Sequence, residues 1–213
     1  MAAHTQDISG RTRLAVTAQQ VQELRRKTGA GVMDCKRALA ECEGDVEKAA
    51  VALRKQGMAR ADARMERQAQ EGVIASYIHA GGRIGVLVEV NCETDFVART
   101  DEFQALARNL AMHIAAEQPR WVRPEDVPEA ILEQEKEVYR SLALKEGKPE
   151  KVVDKIVEGR LAKFYSEACL LDQPYVRDDQ RIVREVIKEV IAHLGENIMV
   201  RRFTRFQLGE GQS

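Results

Sequence analysis

From Thr17 the apolar positions of the chain take up helical spacing. Thr17 and Gln20 stand in capping-box register, Val21 and Leu24 form a short stripe, and Gly29-Ala30-Gly31 ends it. Met33, Leu39 and the neighbouring alanines carry a second helix closed by Gly44. Asp45 can cap a third, in which Val46, Ala49, Ala50 and Leu53 recur at helical spacing. Three short helices bury little surface, so residues 17–57 read as a small module near the lower size limit for independent folding, with Gly57 at its end. Residues 58–71, MARADARMERQAQE, alternate charges and alanines without a broad apolar face, the pattern of a solvated helical or flexible linker. Residues 1–16 are polar and aperiodic and are expected to form a flexible tail.

At Gly72 the period changes. GVIASYIHA and RIGVLVEVNC are β-branched segments separated by Gly81-Gly82, a hairpin signal, and the unbroken apolarity of Ile84 to Val90 predicts a central strand covered on both faces or nearly so. Beyond Thr100, the residues Phe103, Leu106, Ala107, Leu110, Ala111 and Ile114 keep a helical stripe that can lie across the hairpin. EQPRWVRPEDVP holds three of the five prolines and reads as a loop. Helices are expected over 128–145 and 149–170, then LLDQPYV as a connection, then a helix from about Asp179 to His193, stopped by Gly195. NIMVRRFTRFQL is the last strand and most economically joins the hairpin. The fold class is therefore α+β: a three-helix module, a linker, and an α/β core over 72–213 built on a three-stranded antiparallel sheet backed by helices.

Composition narrows the function. With 33 basic against 34 acidic side chains, no global field draws the chain to nucleic acid or to anionic lipid. The N-terminal stretch lacks an apolar core of signal-peptide length and no apolar run approaches the ~20 residues that span a bilayer, so a cytoplasmic protein without membrane contact is expected. Cys35, Cys42, Cys92 and Cys169 fall inside regular segments at unrelated spacings, as packed reduced thiols do.

Candidate chemistry is sparse. His4, His79, His113 and His193 stand apart, and no histidine or cysteine pair has ligand-like local spacing, so no metal is expected. TGAGVMDCK has glycines before a helix start, but it lacks the preceding strand and the spacing that aims a lysine at phosphates. No nucleophile, base and orienter stand in evident relation, so an enzyme is not expected. RRFTRF at 201–206 interleaves arginine with phenylalanine in the manner of a single-strand stacking platform. The same residues equally serve a core and a charged sheet edge. Phe96 is the open case. It lies seven residues before Phe103, on the same face of a continuous helix, which makes it core; yet Thr94 can cap a first turn and Thr100-Asp101 a second, and a break between them would leave Phe96 beside Asp95 on a projecting corner.

Two stretches, LRRKTGAGVMDCKRAL (Leu24 to Leu39) and EVNCETDFVAR (Glu89 to Arg99), resemble the two signature segments of translation elongation factor Ts nearly residue for residue. The order of parts agrees from residue 17 to residue 210: a module resembling ubiquitin-associated domains, linker, hairpin, Thr-Asp-Phe-Val corner, helices, and a last strand ending FTRFQLGEG. The resemblance implies a guanine-nucleotide exchange factor, without cofactor, that releases GDP from elongation factor Tu. It implies that Phe96 is a wedge thrust into the G domain of Tu, dislodging the nucleotide's Mg²⁺, with Asp95 as its polar partner and Thr94 and Val97 shaping the corner. Arg25, Val32, Met33 and Lys36 match positions with which the family's N-terminal module grips the G domain, Val32 standing where some members carry methionine. Longer members have two similar α/β subdomains and a coiled-coil insertion. This chain has one hairpin and one such corner, so, as in short members, a homodimer assembled through residues 72–213 is expected. A non-exchanging adaptor and an RNA-binding accessory factor using RRFTRF are the alternatives.

Overall fold

The computed structural model describes residues 16–210; the expected tail, Val16 apart, lies outside them. Helix α1 (Ala18–Thr28) opens on a complete capping box, with Thr17 Oγ1 accepting the Gln20 N–H at 3.2 Å and the Gln20 side chain accepting the Thr17 N–H at 2.9 Å. It ends at Gly29 in the left-handed region, φ +67°. Helices α2 (Val32–Glu41) and α3 (Val46–Arg64) follow, the latter capped by Asp45. Leu24, Cys35, Ala38, Leu39, Ala49 and Leu53 form the module's own apolar core.

The sequence boundary at Gly57 is not a structural one. Helix α3 runs through it to Arg64, and Ala61, fully buried, belongs to the main core. The first half of the expected linker, residues 58–64, is thus the last turns of a helix that docks along α8 (Val183–Leu194). The contact is made by small residues: a Cβ on Gly57 would stand 3.2 Å from Ala192 Cβ. A seam of alanine and glycine gives no apolar stripe, which is why the pattern reads as solvated. Ion pairs Arg54–Glu189 and Lys188–Asp62 flank the seam.

In the core, β1 (Glu71–Ile78), β2 (Ile84–Cys92) and β5 (Ile198–Gln207) form an antiparallel sheet in the order β1-β2-β5, so the last strand does join the hairpin. Val86, Val88 and Val90 are buried under α5 (Asp101–Glu117), but Leu87 is half exposed. The central strand is covered on one face, not two, which corrects the expectation drawn from its continuous apolarity. Ile74, Ile78, Leu87 and Phe206 share the open face.

Helices α6 (Glu129–Lys145) and α7 (Glu150–Ala168) pair into a hairpin with its own seam of Ala143, Val153, Val157 and Leu161, rooted at Trp121, Val127, Phe164 and Cys169. Between α7 and α8 lies a feature the pattern does not predict, a two-stranded ribbon of β3 (Pro174–Tyr175) and β4 (Asp178–Ile182). Helix α8 therefore begins four residues later than expected. Behind the ribbon, buried His113 accepts the Val176 N–H on Nδ1 at 3.2 Å, which leaves Nε2 to donate to Gln173 Oε1 at 2.9 Å. Gln173 Nε2 donates in turn to the carbonyls of Glu117 and Glu167, tying α5 to α7. No helix among the described residues is long and apolar enough to cross a membrane.

Candidate partner-binding site

The chain leaves β2 at Cys92 and makes two capped starts within a few residues. Thr94, extended at φ −129°, accepts the Val97 N–H on Oγ1 at 3.4 Å and opens a single-turn helix α4 (Asp95–Ala98). Thr100, also extended, accepts the Phe103 N–H at 3.3 Å and opens α5. The two caps re-phase the chain. Phe103 is completely buried, whereas Phe96 is 78% exposed. Of the two readings the sequence leaves open, the corner is the one the backbone adopts.

Exposure does not mean looseness here. Thr100 Oγ1 donates to the Val97 carbonyl at 2.8 Å and Gln104 Nε2 to the Ala98 carbonyl at 2.7 Å, so the end of the turn is satisfied by side chains. Ala98 is buried and Val97 rests against the core. Asp95 accepts from Arg99 at 2.7 Å, a pair at i,i+4 that leaves its carboxylate anchored but reachable.

Behind the corner stands the Gly195–Asn197 turn that ends α8. Glu196 accepts the Thr94 N–H at 2.9 Å and the Thr94 hydroxyl at 2.7 Å, one on each carboxylate oxygen. Reciprocally, Glu93 accepts the Asn197 N–H at 2.6 Å, while Asn197 Nδ2 donates to the carbonyls of Met65 and Arg67 beyond α3. Cys92 Sγ donates to the Thr94 carbonyl at 3.1 Å; burial, reinforced by the Glu196 charge, pushes this thiol up to about 11. Nothing in the sequence joins Glu93 and Glu196 to their partners, which lie 104 and 102 residues away. Spacing carries no signal at that distance.

In the module, Met33 is 74% exposed and Val32 about half exposed, while Arg25 and Lys36 also face solvent. Val32, Met33 and Lys36 lie within the first two turns of α2 and Arg25 is on α1. In RRFTRF, Phe203 packs on the core, Arg202 pairs with Glu89, and the Arg205 side chain reaches the Ala115 carbonyl, Gln207 and Glu210. Phe203 and Arg205 thus serve the fold, whereas Arg202 and Phe206 stay largely exposed. Among the described residues no cluster of three or more His, Cys, Asp or Glu is arranged to hold a metal.

The family model described as elongation factor TS matches residues 47–210. Among curated relatives named elongation factor Ts, that of Carboxydothermus hydrogenoformans is 58% identical over 92% of this chain and 90% of its own length. That of Geobacter sulfurreducens is 57% identical over 93% and 92%. That of Moorella thermoacetica is 58% identical over 92% and 97%. A likeness of this extent, reached independently of the corner's geometry, assigns the chain to the elongation factor Ts family.

Proposed function

We propose that this protein is the cytoplasmic guanine-nucleotide exchange factor for elongation factor Tu, using the corner Thr94-Asp95-Phe96-Val97 as its working part and Arg25, Val32, Met33 and Lys36 as a second grip on the G domain. The observation that carries the reading is the exposure of the Phe96 ring on a turn whose backbone is fixed at both ends. A bare benzyl group gives up roughly 2 kcal/mol of burial in the free protein, which is recovered when the ring enters an apolar cleft of a partner. Held by two caps, its backbone arrives already ordered, which lowers the cost of binding.

Exchange needs no bond broken by the factor. Mg²⁺ bridges nucleotide phosphates to the G protein and demands near-ideal octahedral geometry, so a small shift of its surroundings weakens it sharply. Accelerating GDP loss by ~10³ to 10⁵ asks for about 4–7 kcal/mol off the barrier, within reach of one inserted aromatic and a lost metal contact. Binding is reciprocal: whatever the factor takes from GDP affinity, GDP takes from the factor's affinity, so GTP entry ejects the factor.

A homodimer is part of the proposal. The open sheet face with Ile74, Ile78, Leu87 and Phe206 is an apolar patch that a second copy can cover about a two-fold axis, patch on patch. Stopped-flow release of a fluorescent GDP analogue from elongation factor Tu tests the function. Substoichiometric protein should empty an excess of Tu; release unchanged from the spontaneous rate overturns the reading in favour of a non-exchanging adaptor.

A further inference from the structure

We infer that Glu196 is a positioning residue for nucleotide exchange, setting the angle at which Phe96 leaves the protein surface; the inference rests on the exchange reading above. The argument begins with the Thr94 hydroxyl, which has a single proton. Glu196 takes that proton on one oxygen while its other oxygen takes the Thr94 N–H. With its proton committed to the rear, the hydroxyl has its lone pairs turned toward the front, where one accepts the Val97 N–H and starts α4. Phe96 lies in that turn, two residues after Thr94 and one before Val97. A carboxylate bound at two points to one residue fixes both the extended backbone at Thr94 and the rotamer of its side chain, and charge-assisted hydrogen bonds of this kind are the strong ones.

The neighbouring contacts give the clamp a firm base. Glu196 follows the left-handed Gly195 at the end of α8, and Asn197 immediately after it is held by Glu93 on one side and by the Met65 and Arg67 carbonyls on the other. Thus the turn that aims the corner is also tied to the end of α3, the long helix of the N-terminal module. Both side-chain hydrogen bonds of Glu196 go to Thr94, so Thr94 is the residue through which it bears on Phe96.

Misplacement of a reacting or wedging group by about an ångström costs on the order of a hundredfold in rate, so loss of the clamp should register in the maximal release rate and not in docking. The test compares wild type, Glu196→Ala, Thr94→Val and the double variant in GDP release from Tu across a range of factor concentrations. Hydrogen exchange of the Thr94 and Val97 amides is followed in the free proteins. Expected are a maximal release rate lowered about tenfold or more in Glu196→Ala with an unchanged half-saturating concentration, faster amide exchange at Thr94 and Val97, and a loss in the double variant smaller than the product of the two single losses. Should Glu196→Ala not fold, Glu196→Gln, which keeps the shape but turns one acceptor into a donor, should show the same lowered maximum. Wild-type maximal release in a folded Glu196 variant overturns the inference while leaving the exchange reading intact. A wild-type protein that does not speed GDP loss overturns the exchange reading, and with it the role given to Glu196.

Discussion

Phe96 and Phe103 are the same residue type seven positions apart, and the structure gives them opposite fates: one in solvent, one sealed in the core. Phe96→Ala should therefore leave thermal unfolding within about 0.5 kcal/mol of wild type while GDP release from Tu falls at least tenfold; Phe103→Ala should cost about 3–5 kcal/mol. Calorimetry and stopped-flow release separate the two. His113 supports a different forecast. Burial holds its imidazole below its ordinary 6.5, against opposing help from Gln173 and Glu117, because the charged ring would lose water and Nδ1 would have to abandon the Val176 N–H. The neutral form is favoured in the folded state, so this contribution to stability is present above pH 6.5 and fades as pH falls below that value. Urea unfolding of His113→Gln should show a lower stability at pH 7.5 than wild type but a shallower decline towards pH 5. The exposed ring was legible in the sequence only as one of two readings, since helical period and cap residues disagree there; the clamp behind it was not legible at all.

At the scale of elements, residues that dictate backbone geometry were the readable ones. Thr17, Asp45, Thr94 and Thr100 each cap the helix their position announces, and Gly29 stops α1 where expected. What escaped was packing through small side chains and short pairing. Helix α3 passes through Gly57 because glycine and alanine let it approach α8, and α8 starts late because the backbone up to Ile182 pairs with β3 instead. Gly29 shows how tightly the module is fitted: its φ is +67°, and a Cβ there would stand 2.2 Å from His193 Nε2, a ring that itself bonds to Glu102 at the start of α5. Gly29→Ala should destabilise the protein by about 1–3 kcal/mol, from left-handed strain and displacement of His193. The loss should be read as an earlier thermal midpoint.

For the whole molecule, the division into a small α module and an α+β core follows from the change of hydrophobic period at Gly72, and the sheet order follows from strand economy. The uncovered sheet face did not, because a run of apolar residues looks the same whether one face of its strand is covered or both. Light scattering at micromolar concentration should give twice the chain mass, and Leu87→Asp, which puts a charge in the middle of the patch, should give the single-chain mass with the fold preserved. The α6–α7 hairpin has a further consequence. Its tip, at Gly147, has open space around it, and its seam is separate from the sheet's core. An appendage built this way can change length without retuning the body that carries it: a peptide tag or fluorophore spliced in at that tip would report on tumbling and assembly while the unfolding midpoint stays where it was, and length drift between related chains should gather there.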